Sequence, residues 1–446
     1  MMNRRTLLKL LGGGAAAVAL RPPIFAAGAK TDQFFIIIHA GGGWDVTLWA
    51  DPRSERRGLV EPASSLNTEY TRIRHWKPQR LDGSVSTFEP LSPGNTSLRL
   101  GPAIGDLYDL RERLTIVNGL AMNTVSHDDG TTFSVTGRHR AGGTVPASSV
   151  DVMLANELGP SQMIPDVSVR FPSSFVGDAL DRRAIPMRCN TVEAIVKTVE
   201  RSDYYFVSED RADITAVLTD EARRLAEASP YPKPYEQLAT QHTTMPLLIG
   251  QDFKQAFAAK QLQAKYQTFN YQTRAHGKGA LSAAFAVEAL ARNLVRCVAF
   301  GLGGLDTHNA NYRQHATTLQ DLFDVVATMV KLLDTTPHPT KPGAMLSEHT
   351  HVLVLSEFCR TPQVNLGGGR DHYPNNSALV ISPRFRGGRE FGKTDVDQLL
   401  PAPAIQFSDG LRPIAPPDLL ATFLHAFGID SHRYVRDGEV VKEMLV

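Results

Sequence analysis

Cysteine is scarce in this chain: Cys189, Cys297 and Cys359 are the only three among 446 residues. So sparse and odd a set, at unrelated spacings, excludes a disulfide framework, and Cys297, inside a strand-like run, reads as a small buried hydrophobe. An excess of charge is lacking too. Lys and Arg total 47 against 46 Asp and Glu, a formal net charge of +1, with no Lys/Arg block. Nucleic-acid binding, which needs a basic stripe or patch, is therefore not expected. After the N-terminal segment no apolar run is long enough for a bilayer. Signature motifs are missing as well: no G-x-G-x-x-G between strand and helix, no Walker A loop, no G-x-S-x-G elbow and no H-E-x-x-H.

What is present begins with a targeting pattern. Asn3-Arg4-Arg5-Thr6-Leu7-Leu8-Lys9 is an arginine-pair n-region, followed by a Gly/Ala/Leu stretch and a cleavage site at Ala27-Gly28-Ala29. Twin arginines mark Tat export, so residues 1–29 are expected to be a Tat-type signal peptide and are left out of the fold. A Sec signal or an uncleaved anchor is the alternative. The segment carries Arg4, Arg5, Lys9 and Arg21 and no acids, so its removal takes the formal charge from +1 to −3. Tat substrates fold before export, which permits a metal to be loaded first. The protein is expected to be periplasmic or otherwise exported, without a stable membrane span after signal removal.

The remaining residues, 30–446, read as one α/β domain. Phe34 to Ile38 is a buried strand. Residues 46–113 are Pro- and Gly-rich excursions with one helix near Ile104 to Arg113. Leu114 to Leu120 is a second strand, leading through Ser126-His127-Asp128-Asp129 into a helix that ends near Gly137. Ser148 to Leu158 is helical, and residues 165–190 hold strand-like pieces. A largely helical insertion or layer is expected over about 191–280. Leu281 to Val295 has helical periodicity and feeds the Cys297 strand. Tyr312 to Leu333 is a long amphipathic helix, His351 to Phe358 a strand, and Pro416 to Phe427 a last helix. This β-loop-α-β succession predicts a mostly parallel sheet.

The apolar runs end in segments rich in acids and histidines. Parallel sheets present functional groups at the carboxyl ends of their strands. HAGGGWD ends at Asp45, RCVAFGLGGL runs into Asp306-Thr307-His308, HVLVLSEF carries Glu357, and GGGRDHYP holds Asp371 and His372. In an extended loop, residues i and i+2 point the same way, so Asp306 and His308 can grip one cation through oxygen and nitrogen, a mixed set that suits zinc or manganese. Glu357 at the end of a buried strand is costly unless paired or metal-bound. Gly367-Gly368-Gly369 can turn both Asp371 and His372 inward. Each segment also has a structural reading. Asp306 can cap a helix, Glu357 can pair with Arg360, Asp371-His372 can be a solvated turn, and Asp45 can cap a tight turn. His39 is a weaker candidate. Ser126, Thr131 or Thr132 can be a nucleophile, and His127 a base, ligand or nucleophile. Ser126 is equally an N-cap signature, and the helix start is an anion site.

Taken together, these pieces resemble an exported bacterial family known as domain of unknown function 1501, within the alkaline phosphatase and sulfatase-like superfamily. The matching pieces are the Tat-like start, HAGGGWD, Ser126-His127 with Thr136-Gly137, GLDTHNAN, SEFCRTP, GGGRDHYPN and Gly387-Gly388. They cover most of the chain. The resemblance implies an alkaline phosphatase-like three-layer sandwich whose central, mostly parallel sheet is flanked by helices. It also implies a dinuclear metal centre at the carboxyl edge: Asp45 and Glu357 would hold one ion, and Asp306, His308 and His372, with Asp371, the other. Ser126 or His127 falls where that superfamily keeps its nucleophile. Cys359 departs from the glycine expected after SEF. No Cys/Ser-x-Pro-x-Arg element is present, which removes formylglycine sulfatase chemistry. Family members often accompany a second exported family, which implies a partner protein.

The expectation is thus an exported hydrolase or phosphotransfer enzyme with two divalent ions, zinc or manganese. It would act on a phosphate or sulfate ester of a small molecule or glycan, with Arg360 and Arg370 neutralising the oxyanion. A non-catalytic envelope protein that keeps the fold and works with a partner is the alternative.

Overall fold

The computed structural model describes residues 31–446 except 54–71, 82–84, 161, 178, 200–207, 231, 233–234, 236–237, 240–250 and 274–275. The expected signal peptide and its cleavage site lie outside the described residues. Among the described residues, no helix is long and apolar enough to cross a membrane.

Eight strands build the central sheet: β1 (Phe34–Ala40), β2 (Leu114–Ala121), β3 (Ile164–Val169), β4 (Met187–Cys189), β5 (Val295–Leu302), β6 (Thr350–Leu355), β7 (Asn375–Ile381) and β8 (Arg389–Gly392). Their order across the sheet is β8-β2-β7-β6-β1-β5-β3-β4. β1 lies in the middle, parallel to both neighbours, with Ile37 opposite Ala299 of β5 and Leu353 of β6. β7 runs antiparallel to β2 and to β6. The remaining neighbours pair in parallel.

Every residue of β1 is buried, as a strand covered on both faces requires. Alternate side chains enter two separate cores. Phe34, Ile36 and Ile38 pack with α3 (Gly277–Ala291) and α4 (Ala316–Thr335), while Phe35 and Ile37 pack with α2 (Val150–Leu158) and α5 (Pro416–His425). The result is the expected three-layer α/β arrangement, a mostly parallel sheet between helices. α1 (His127–Thr136) packs beside α5.

Several local readings shift. The helix expected near Ile104 is a 3₁₀ helix over Pro102–Arg113. The amphipathic helix opens with a π turn at Asn311–His315 before α4 begins. In the helical region, the described helices are Val192–Val199, Ser208–Ala228, Gln251–Phe257 and Ala259–Lys265. β7 and β8 do not stand out in the sequence, and β7 matters most: because it is antiparallel, its start lies at the carboxyl edge of its neighbours.

Candidate functional site

Five segments meet at that edge. Four follow the carboxyl ends of β1, β2, β5 and β6, and the fifth precedes the start of β7. Two glycines make the meeting possible. Gly42 has φ of 118°, and a Cβ there would lie 2.3 Å from the backbone N of Asp306. Gly130, in the first turn of α1, has no room either, since a Cβ would lie 2.4 Å from the Glu357 carbonyl oxygen. Glycine is the residue that tolerates both the positive φ and the close approach. A short antiparallel pairing of His372 with Arg360 then ties the segment before β7 to the one after β6.

Three imidazoles converge on the half-exposed Asp306. His127 Nε2 lies 3.4 Å, His308 Nε2 3.2 Å and His372 Nε2 3.6 Å from Asp306 Oδ1. Each ring is anchored through its other nitrogen. His127 Nδ1 donates to Glu357 Oε1 (2.9 Å), His308 Nδ1 to Asp371 Oδ1 (2.6 Å) and His372 Nδ1 to the Val125 carbonyl (2.8 Å). In a neutral ring such a bond holds the proton on Nδ1 and leaves a lone pair on Nε2. The Nε2 atoms of His127 and His372 are buried and have no hydrogen-bond partner. Ligand atoms of His127, Asp306 and His372 lie within 4.8 Å of one another, the spacing of a cation site. Carboxylate or carbonyl groups behind ligating histidines are the usual outer layer of such sites.

The charges fit this pattern. Burial alone would push the Glu357 carboxyl up, but His127, His39 and the Gly42 amide together hold it below its ordinary value. Gly42 N donates to Glu357 Oε1 at 2.6 Å, and His39 Nε2 lies 3.6 Å from Oε2. The hydrogen bond to Glu357 raises the His127 pKa above 6.5 against the opposing effect of burial. Burial lowers that of His372, helped by Arg360, His127 and His308. The Asp371 carboxyl is held low, first by His308.

Thr307 and His315 support the loop from behind. Asp306 and His308 face the cluster while the buried Thr307 turns inward, where its Oγ1 lies 2.8 Å from His315 Nδ1. His315 Nε2 accepts from the Asp45 backbone N at 2.7 Å. Burial pushes the His315 pKa down to about 3, so it stays neutral. Asn365 contributes a further bond, from Nδ2 to Asp371 Oδ1 at 3.2 Å. Neither His315 nor Asn365 carries a signal in the sequence, because each reaches the site only through tertiary packing.

Asp45 and Arg370 stand away from the group, and Arg360 meets it from the buried side rather than from a substrate mouth. Asp45 is fully buried and is not brought to the group. Its Oδ1 accepts from Thr47 N (3.0 Å) and Thr47 Oγ1 (2.6 Å), and its Oδ2 accepts from Asn311 Nδ2 (2.6 Å). It caps the short helix Val46–Leu48, the structural reading of that segment. Arg360 and Arg370 are also fully buried rather than at a substrate mouth. Arg360 donates to the carbonyls of Gly42, Gly43 (2.9 Å) and Arg370 (3.1 Å), and to Asp306 Oδ1 (2.7 Å). Arg370 donates to Thr47 Oγ1 and to Tyr312 Oη, both at 3.2 Å. Both guanidinium groups hold loops in place and orient Asp45 and Asp306. Ser126 is exposed at the N-cap of α1 and forms no side-chain capping bond.

With this geometry in hand, the comparisons are as follows. Residues 35–439 match the family described as "Protein of unknown function (DUF1501)". No curated protein matches the chain. Among solved structures, the chain is similar to Ps i-CgsB in complex with k-i-k-neocarrahexaose, at 10% identity and a TM-score of 0.37, covering 92% of this chain and 75% of that one. It is also similar to a putative sulfatase from Bacteroides thetaiotaomicron, at 8% identity and a TM-score of 0.34, covering 92% and 74%.

Proposed function

Because the chain belongs to the DUF1501 family, whose description names no activity, we propose its function from the site itself: an exported, metal-dependent hydrolase or phosphotransfer enzyme acting on a phosphate or sulfate ester. One observation carries this reading. Three histidines, each fixed through Nδ1, aim Nε2 at a single carboxylate, and two of those nitrogens are buried with nothing to bond. An unpaired buried polar atom is costly, and a divalent cation would satisfy both. His127, Asp306 and His372 would hold it, with His308 beside them, and zinc or manganese suits that donor set. When bound, such an ion polarises an ester oxygen and lowers the pKa of a coordinated water.

The chain's own residues supply the rest. Glu357 and Asp371 keep His127 and His308 in the tautomer that leaves Nε2 free. Arg360 fixes Asp306 from below. The start of α1, from His127 onward, offers backbone N–H groups to the ester's anionic oxygens. Since both oxygens of Asp45 are occupied, the proposal is for one ion at this group rather than the two first expected. Membership of the alkaline phosphatase-like superfamily is part of the proposal, and so is export through the twin-arginine segment.

Ser126 favours a second reading. It is exposed and, among the described residues, has no basic group bonded to it, so either water attacks or the fold serves a non-catalytic envelope role with a partner protein. The deciding experiment is metal content by mass spectrometry on protein purified without chelator or nickel, compared with Asp306→Ala/His372→Ala. One equivalent of zinc or manganese, lost in the variant, followed by turnover of 4-nitrophenyl phosphate or sulfate, is the expected result. Retained metal with no turnover of any ester would favour the second reading, and absence of metal after reloading would sink both metal-based forms.

A further inference from the structure

A cleft of about 560 Å³ opens next to the cluster, on the same edge of the sheet. Its floor is the ends of three adjacent strands: Gly301 to Gly303 at β5, Val169 and Arg170 at β3, and Asn190 and Thr191 beyond β4. β5 is shared, because Gly303 lines the cleft and Asp306 lies three residues further, at most about 11 Å along the chain. Clefts at the carboxyl edge of α/β sheets are where ligands bind.

Among the described residues, the charged side chains of this cleft are uncommitted. Arg170, Lys278 and Glu193 line it, and among the described residues none of the three makes a side-chain hydrogen bond or ion pair. Most other arginines near the sheet edge, such as Arg360, Arg370 and Arg188, are bonded to protein. Arg170 is also held in the left-handed region, with φ of 56°, a cost for a residue with a Cβ. Such outliers persist where the surrounding structure imposes them, often at ligand sites. Gly301 accommodates it, since a Cβ there would lie 2.2 Å from the Arg170 carbonyl oxygen. His276 adds no charge: burial pushes its pKa down to about 4, and its Nε2 is bonded to the Thr318 carbonyl. The cleft is thus a polar recess with two uncommitted cations and one carboxylate able to accept from hydroxyl groups.

We propose that this cleft is a subsite for a second anionic group, so that the substrate is an ester of a hydroxylated compound bearing a further phosphate, sulfate or carboxylate. The proposal rests on the hydrolase reading above. The reacting ester would lie at the His127–Asp306–His372 cluster, Arg170 and Lys278 would hold the second anion, and Glu193 would accept from hydroxyls between them.

The test is calorimetric titration of the zinc-supplemented protein with glucose 6-phosphate and with glucose 1,6-bisphosphate at fixed ionic strength. Wild type is expected to prefer the bisphosphate by about tenfold, the ratio of one charge-assisted hydrogen bond. Arg170→Gln/Lys278→Gln is expected to lose that preference while binding the monophosphate as before. Lys278→Gln alone, an exposed change, is expected to lose part of it and guards against misfolding of the double variant. Equal affinity of wild type for the two ligands, no bisphosphate binding, or a preference that survives the double variant would overturn the subsite. Zinc content measured on the same samples separates the two readings. Zinc retained by His372→Ala would count against the metal site and leave the bisphosphate preference to be judged on its own.

Discussion

Glu357 does its work through His127. It is a buried carboxylate 2.9 Å from Nδ1, and it sets which nitrogen of that ring faces Asp306. Glu357→Gln keeps the shape and removes the charge. Loss of an outer partner of a ligating histidine typically weakens metal binding by about 10- to 100-fold, and that is the expected fall in zinc affinity, read by competition titration with a chelating dye. Unchanged affinity would show that Glu357 does not orient His127. Asp45 teaches the opposite lesson. Its setting in the sequence, after three glycines at a strand end, resembles that of a ligand, yet Thr47 and Asn311 take both of its oxygens.

At the scale of elements, the site depends on how closely α1 approaches the loop after β6. Gly130 touches the Glu357 carbonyl, so Gly130→Ala must push the helix start away or move the loop. Alanine is the better helix former, so intrinsic propensity predicts stabilisation and crowding predicts the reverse. Crowding wins, because the neighbour is backbone and cannot rotate aside. The expected loss is about 1–3 kcal/mol, measured by urea unfolding, with a parallel fall in zinc affinity as His127 moves. A variant as stable as wild type, with normal zinc binding, would contradict this account. β7 is the other decisive element. Running against its neighbours, it starts where they end, and so sets His372 at the same edge as Asp306.

For the whole molecule, a buried carboxyl pair away from the cluster shapes the pH response. Asp166 of β3 and Asp151 of α2 are both buried. Burial raises both carboxyls above 3.8, and Asp151 raises Asp166 further. The sign follows from linkage. The folded state keeps a proton that the unfolded chain releases, so this contribution to stability is present below pH 3.8 and is lost as pH rises through the folded value. Asp166→Asn removes the more strongly raised of the two carboxyls. The variant is therefore expected to gain melting temperature relative to wild type as pH increases from 4 to 8, by calorimetry in matched buffers. A difference that is flat or falls with pH would exclude this role for the pair.

By itself the sequence determined four of the buried strands, β1, β2, β5 and β6, and which of their ends carry acids and imidazoles. Both follow from local patterns: apolar runs covered on two faces, and glycine-rich turns after them. The β1, β2, β5 and β6 strands and the Asp306, His308, Glu357 and His372 candidates were legible for that reason. Only the tertiary structure decided which candidates meet. The reversed direction of β7, the burial of Arg360 and Arg370, the capping role of Asp45 and the pairing of each histidine with its anchor all depend on contacts between residues far apart in the chain. No local pattern encodes a contact of that kind, because hydrogen-bond partners hundreds of residues apart, such as His127 and Glu357, are chosen by strand order and close approach of backbones rather than by spacing.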